Sequence, residues 1–313
     1  MPRFDVTIAG EMNIDLILYG VPAEIPRERE LLANDMMLTL GGSSVIVAHN
    51  LAALGARVGF ISRIGDDSFG QIALDYLSAS GVDVSRVRRT GATKTGVTVI
   101  LQRENWRNMV TYAGSTAELA MDDLDLTYLA DSRHFHLSSF YLLKNLRPSV
   151  PELFRQFKAA GLTISLDTND DPDDEWRDGL DKVFQYVDVF LPNQREAEKI
   201  SGASNLNHAL AELSKKVPMV VVKLGAEGAL GKLADRQVHA PGVIVESIDA
   251  VGAGDSFNAG FLSEYVRGAD LSNCLTMANL AGALSTTRPG GTEAFRDVRH
   301  REQFLQRNAA VGK

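Results

Sequence analysis

Short apolar runs alternate with segments of helical period along most of the chain. The runs FDVTIAG (4–10), RVGFIS (57–62), HFHLSSF (134–140), LTISLD (162–167), VDVFLPN (187–193) and PMVVVKLG (218–225) predict buried strands. Between them, SSVIVAHNLAALG (43–55), DSFGQIALDYLSASG (67–81), PELFRQFKAAG (151–161) and QREAEKISG (194–202) predict helices. The first helix is apolar on nearly every side and is expected to be buried, with Ser43 or Ser44 as its cap and Gly55 as its stop. The C-terminal third reads as mostly helical. Repeated strand–helix alternation implies crossover connections and a mostly parallel sheet covered on both faces, an α/β fold.

Two stretches break this rhythm. Residues 12–40 carry LILYG and MMLTL around the polar PAEIPRERE, and residues 94–113 carry two alternating runs joined by a polar turn from Asn105 to Asn108. Both look like strands without crossover helices, and they predict a small β lid. No tandem repeat or low-complexity linker divides the chain, so residues 1–313 are expected to form one domain with that lid.

Composition narrows the class. Of 313 residues, 45% are apolar and 23% charged, which suits a globular chain with a sizeable core. A net charge of −8 argues against nucleic acid or an anionic membrane as the main partner. The single cysteine, Cys274, allows no intrachain disulfide and suits a reducing cytoplasm. There is no signal-like N-terminal region and no apolar run long enough to span a membrane.

The most informative stretch is DAVGAGDSFNAGF, Asp249 to Phe261. After Asp255, residues Phe257, Phe261, Leu262, Tyr265 and Val266 mark one face of a helix that Arg267 and Gly268 would end. Gly252, Ala253 and Gly254 then sit at its N-terminus. Free backbone N–H groups and the helix dipole make such a turn an anion site, and glycines let a ligand approach closely. Asp255 is placed to take a proton from a hydroxyl held nearby. Taken in isolation, a Gly-x-Gly-Asp is first of all a capped turn.

The stretch resembles the C-terminal motif D-T-x-G-A-G-D-x-F-x-A-G-F of the ribokinase-like, or phosphofructokinase-B-type, carbohydrate kinases, with Ala250 in place of the usual Thr. Other landmarks of that family occur in order: Gly41-Gly42, IGDDSFG (64–70), GVD (81–83), Thr95-Gly96, LPNQREAE (191–198) and KLGAEG (223–228). The resemblance implies a three-layer sandwich with a β-sheet lid and an ATP- and Mg²⁺-dependent kinase acting on a sugar-type hydroxyl. It implies Asp255 as base and the Gly252–Asp255 amides as anion hole. It also implies Asn193, Lys223, Gly225 and Gly228 on the nucleotide side, Glu196 at a water-bound Mg²⁺, Asn279 as a candidate for the adenine, and Asp249 with the 286–291 loop as a candidate K⁺ site.

On the acceptor side, Asn13 and Asp15 alternate on one face of a strand and match the family's hydroxyl-gripping pair. Gly41, Gly42, Ser43, Ser138, Ser139, Asp167 and Asn169 are further candidates. Ile46 stands where ribose- and fructose-type members carry an Asn, and Ser43 stands where ribokinases tend to carry a Lys. Asn50 reads as a satisfied core residue, and His134 and His136 as core histidines. Acids follow Asn169 at Asp170, Asp171, Asp173 and Asp174, which argues for a neutral sugar, polyol or nucleoside over an anionic acceptor. Lys94, Arg103 and Arg107 in the lid are cations that read as solvated. Apart from a sugar kinase, the chain is compatible with a nucleoside kinase, with Ile46 against a base ring, or with a binding protein that lost its chemistry. Free strand edges on the lid suggest a homodimer joined there.

Overall fold

The computed structural model describes residues 1–22, 24–103, 107–176 and 179–308. Its strands are β1 (Phe4–Ala9), β2 (Asn13–Tyr19), β3 (Asp35–Gly41), β4 (Val58–Ile61), β5 (Arg63–Gly65), β6 (Arg88–Thr90) and β7 (Val97–Gln102). They continue with β8 (Arg107–Tyr112), β9 (Ser132–Leu137), β10 (Thr163–Leu166), β11 (Val189–Phe190), β12 (Met219–Lys223), β13 (Ala229–Leu233) and β14 (Arg236–Ala240). Eight of them form the main sheet in the order β14-β13-β12-β11-β10-β9-β1-β4. From β4 to β12 every pairing is parallel, and β13 and β14 add an antiparallel edge.

Two apolar clusters lie against the sheet, one on each face. In β12, Val220 and Val222 join one cluster while Met219 and Val221 join the other, as the two-residue period of a strand requires. The helices Ser43–Ala53, Ala253–Tyr265 and Leu271–Thr286 cover one face. The helices Val150–Ala159, Gln194–Ser201 and Leu206–Leu213 cover the other. The predicted α/β sandwich is observed. The hairpin β13–β14 is new relative to the sequence reading, which continued from β12 into a turn and helices; Ala234, in the left-handed region at φ 52°, turns that hairpin.

A second sheet has the order β3-β2-β7-β8 and is built from the two stretches that broke the strand–helix rhythm. Its β7–β8 pairing is antiparallel, from Val97↔Tyr112 to Gln102↔Arg107; the turn at 104–106 lies outside the described residues. The helix Ser43–Ala53 is capped by neither serine. Gly42 holds the cap position without a side-chain bond. Ser44 donates instead to the Glu11 carboxylate, from N at 3.1 Å and from Oγ at 2.6 Å. A carboxyl group delivered just after β1 takes both Ser44 donors in place of local capping. No helix among the described residues is long and apolar enough to cross a membrane.

Candidate active site

The carboxyl ends of the parallel strands converge on one cleft, where open α/β sheets place their ligands. Asn13 and Asp15 follow β1, Ser139 follows β9, Asp167 and Asn169 follow β10, Asn193 follows β11, and Lys223 closes β12. The helix Ala253–Tyr265 points its N-terminus into the same region, with Gly252 as its cap and Asp255 in its first turn.

Gly252 has φ 70°, a left-handed conformation that favours glycine. A Cβ there would lie 2.6 Å from the Gly291 Cα and 3.3 Å from Ile46 Cδ1. Ile46 therefore packs against the glycine pair Gly252 and Gly291, and its apolar branch forms the wall behind the anion turn. At Gly254 a Cβ would lie 3.7 Å from Lys223 Nζ, which brings that cation beside the turn.

Lys223 Nζ is 2.5 Å from Asp167 Oδ2, and Asn258 Nδ2 donates to the same oxygen at 2.5 Å. Burial pulls the Lys223 ammonium down, but Asp167, Glu196 and Asp255 outweigh it and hold the group charged. Asp255 is 8% exposed. Burial first, then the Asp167 charge, push its carboxyl up to about 7, against Lys223 and a Ser43 hydrogen bond that act downward. A carboxyl poised near neutrality fits a general base.

From Ser43 a hydrogen-bonded chain leads across the cleft. Asn169 Nδ2 donates to Ser43 Oγ at 2.8 Å. The Ser139 backbone N–H donates to Asn169 Oδ1 at 2.9 Å. Ser139 Oγ donates to Glu11 Oε1 at 2.5 Å. Ser139 and Asn169 both sit in the left-handed region, at φ 54° and 55°, and their mutual bonds hold them there. Glu11 was not foreseen. It is 1% exposed and serves Ser44 and Ser139 at the junction of β1 and the second sheet. Its only sequence signal was an acid directly after a strand-ending glycine.

Asn13 and Asp15 are buried. Asn13 Oδ1 accepts from Thr116 Oγ1 at 2.6 Å. Asp15 lies against Gly41, where any side chain would collide with its carboxylate. Burial, with the charges of Asp255 and Asp249, pushes Asp15 up to about 8, and a Thr98 hydrogen bond and Arg107 act downward. Asp249 accepts from the Val251 N–H and the Gly290 N–H, both at 2.9 Å, so it ties the glycine turn to the 286–291 loop.

Asn193 and Glu196 form a reciprocal cap on the helix Gln194–Ser201. Burial, then the Asp167 charge, push the Glu196 carboxyl up to about 7. Gly225 and Gly228 bracket a short turn after β12. Asn279 Nδ2 donates to the Ala240 and Pro241 carbonyls, both at 3.0 Å, so its amide is engaged in stitching that neighbouring segment.

Several expected residues lie elsewhere. Ser138 Oγ is 2.8 Å from His136 Nε2, within a buried chain that runs Thr163, His134, Ser165, His136, Ser138; it does not join the Ser43–Asn169 cluster. Burial keeps both histidines neutral, His136 down at about 3 and His134 well below its usual value, in keeping with core histidines. Asn50 is also a core residue, bonded to Ser256 and Gly291. The acid run after Asn169 does not line the cleft as free charge. Asp170 pairs with Arg195, Asp173 with Lys144 and Asp174 with Lys199, and Asp171 accepts from three backbone N–H groups of its own turn.

A glycine-capped helix N-terminus that carries a buried carboxyl beside a polar cluster at the strand ends suits the transfer of an anionic group to a small molecule. The model of the pfkB family of carbohydrate kinases matches residues 3–297, and the chain belongs to that family. It is 31% identical over 273 residues to a fructokinase of Klebsiella pneumoniae, covering 82% of this chain and 88% of that one. It is 30% identical over 289 residues to the 2-dehydro-3-deoxygluconokinase of Bacillus subtilis, covering 87% and 88%. Among solved structures, an E. coli protein designated ribokinase II, in complex with ATP and Mg²⁺, superposes with a TM-score of 0.84 at 27% identity over 97% of this chain and 99% of that one.

Proposed function

We propose that this carbohydrate kinase transfers the γ-phosphoryl group of ATP to a hydroxyl of a neutral sugar or polyol. The observation that carries the reading is Asp255: a buried carboxyl near neutral pKa, in the first turn of a glycine-capped helix and hydrogen-bonded toward the Ser43–Asn169 cluster. Asp255 takes the acceptor proton as the acceptor oxygen forms its bond to phosphorus and the bond to the leaving phosphate breaks. The Gly252–Asp255 amides and Lys223 hold the charge that develops on the transferring group.

Glu196 suits a hydrated Mg²⁺, because a buried carboxyl raised to about 7 gains from a nearby cation. Bound there, Mg²⁺ would neutralise phosphate charge. Asn193, Lys223, Gly225 and Gly228 face the nucleotide, with Asn279 holding the adjoining segment. Asp249 and the carbonyls of the 286–291 loop are the candidate K⁺ ligands. Asn13, Asp15, Gly41, Gly42, Ser43 and Asn169 bind the acceptor, with Ser139 and Glu11 positioning them.

The preference for a neutral acceptor rests on the commitment of Lys223 to Asp167, and on Asp15, which at about 8 is uncharged near neutral pH and can donate to a hydroxyl oxygen. The acid run no longer supports it. Ile46 is committed to Gly252 and Gly291, so its position gives no support to a base ring stacked there. The second sheet acts as a lid that excludes water. Its β8 strand is exposed along its whole length, and Met36, Met109, Val110 and Tyr112 are exposed, which supports a homodimer joined through the lids. The buried thiol of Cys274 fits a cytoplasmic protein.

The test is acceptor-dependent ADP release across neutral sugars, sugar acids, sugar phosphates and nucleosides. The largest kcat/KM is expected with a neutral polyhydroxylated acceptor. A larger value with a sugar acid or sugar phosphate would overturn the acceptor class. Ligand-induced thermal stabilisation with no ADP release from any acceptor would overturn the kinase reading in favour of a binding protein.

A further inference from the structure

A separate cavity of about 320 Å³ lies behind the active helix, between the helices Ser43–Ala53 and Ser68–Ala79 and the segment 295–301. His49, Tyr76, Phe295, Arg296, Val298 and Arg301 line it, and none of them belongs to the site described above. Two guanidinium groups in one small cavity favour an anion. Arg296 lies over the Tyr76 ring, 4.3 Å from its centroid, and its NH1 is 3.1 Å from Glu293 Oε1. Arg301 is anchored by NH1, which donates to the Phe295 carbonyl at 2.6 Å and leaves the rest of its fork for a ligand.

His49 adds a different group. It is 2% exposed, and its Nδ1 is 2.8 Å from Asn50 Oδ1. Asn50 Nδ2 donates to the Gly291 carbonyl at 3.0 Å and to Ser256 Oγ at 2.9 Å. A carbonyl can only accept, so it fixes the orientation of the amide, and Asn50 Oδ1 must accept from His49. The imidazole then carries its proton on Nδ1, and Nε2 is a bare acceptor with no hydrogen-bond partner among the described residues. Burial lowers the His49 pKa to about 4, which keeps that lone pair free at neutral pH.

A bare acceptor beside two arginines calls for a ligand with both a negative charge and a hydroxyl donor. We propose that this cavity binds a small hydroxylated oxyanion, a phosphomonoester or hydroxycarboxylate of a few carbons. Its charged oxygens meet Arg296 and Arg301, and its hydroxyl donates to His49 Nε2.

Two routes join the cavity to the candidate site. His49 and Asn50 reach Ser256 and Gly291, beside the anion turn. Glu293 is shared between Arg296 and the Thr39 hydroxyl, which it accepts at 2.9 Å, and Thr39 pairs with Asp15 in the lid register. An anion on Arg296 competes with Glu293 and so acts on the strand that carries Thr39. The occupied cavity shifts the acceptor KM while kcat stays the same. Coupling of this kind is reciprocal, so acceptor binding shifts the affinity for the oxyanion by the same factor.

The experiment is calorimetric titration of the full chain, free of nucleotide, metal and acceptor, with glycerol 3-phosphate and with malate. Saturable binding of at least one is expected, weakened about tenfold or more in Arg301→Gln and in Arg296→Gln, since each substitution removes a charge-assisted contact. Unchanged ATP affinity identifies a variant that is folded. Binding of glycerol 3-phosphate alone assigns the phosphomonoester class, and binding of malate alone the hydroxycarboxylate class. No saturable binding of either, or equal binding by both folded variants, overturns the proposal. The titration contains no ATP, so its failure is distinct from failure of the kinase reading.

Discussion

The two ends of the cleft are built in different ways. On the proposed function one is the phosphate end and the other the acceptor end, and the phosphate end is made of backbone and one buried ion pair: the Gly252–Asp255 turn, with Lys223 held on Asp167 and Asn258 beside them. The acceptor end is made of side chains from four segments, linked as Ser43, Asn169, Ser139 and Glu11. A helix N-terminus binds any phosphate, so the first end specifies a reaction. A relay of side-chain hydrogen bonds is particular to its members, so the second end specifies a substrate.

The comparison can be broken first at the ion pair. Lys223→Met leaves Asp167 buried without its cation and is expected to destabilise the fold by about 3–5 kcal/mol, read as a lower midpoint in urea. An unchanged midpoint would mean that Asp167 is compensated elsewhere. Next comes the turn. Gly252→Ala places a Cβ 2.6 Å from Gly291 and should lower kcat by about 10²–10³ with little change in the acceptor KM. A selective rise in KM would move Gly252 to the acceptor end.

The smallest effect concerns Asp15, whose carboxyl is raised from 3.8 to about 8. A carboxyl raised in the folded state binds more protons than in the unfolded chain. Its stabilisation is complete below the unfolded value and is lost as pH rises through the folded one. The buried histidines are lowered in the fold, so the unfolded chain holds the extra protons there, and that opposing slope has largely faded by about pH 7.5, one unit above their unfolded value. Between pH 7.5 and 8.5 the apo protein should therefore lose about 1 kcal/mol, most of it through Asp15 with smaller tails from Asp255 and Glu196, and Asp15→Asn should flatten most of that slope. A slope that survives undiminished in the variant belongs to another group.

The same division decides what was legible in the sequence. Strand–helix alternation and the glycine–acid turn report local period and backbone demands, so the parallel core and the position of Asp255 could be read directly. Glu11 and Ser139 join the relay only because β1 and β9 end side by side, a neighbourhood that no local pattern encodes. Ser138 and Ser139 are adjacent in sequence, yet one turns into the sheet and the other into the relay. The acids after Asp167 looked like a field across the cleft, and folding spends them on Lys144, Arg195, Lys199 and a turn. Ile46 was read by its register with relatives, while its observed partners are the two glycines.

The central claim is that Asp255 is the base of a phosphoryl transfer. The direct measurement is Asp255→Asn, with ATP affinity by titration and turnover by ADP release on the same preparation. The account predicts near-normal ATP binding and turnover lower by about 10²–10⁴. Near-normal turnover in that variant would contradict it.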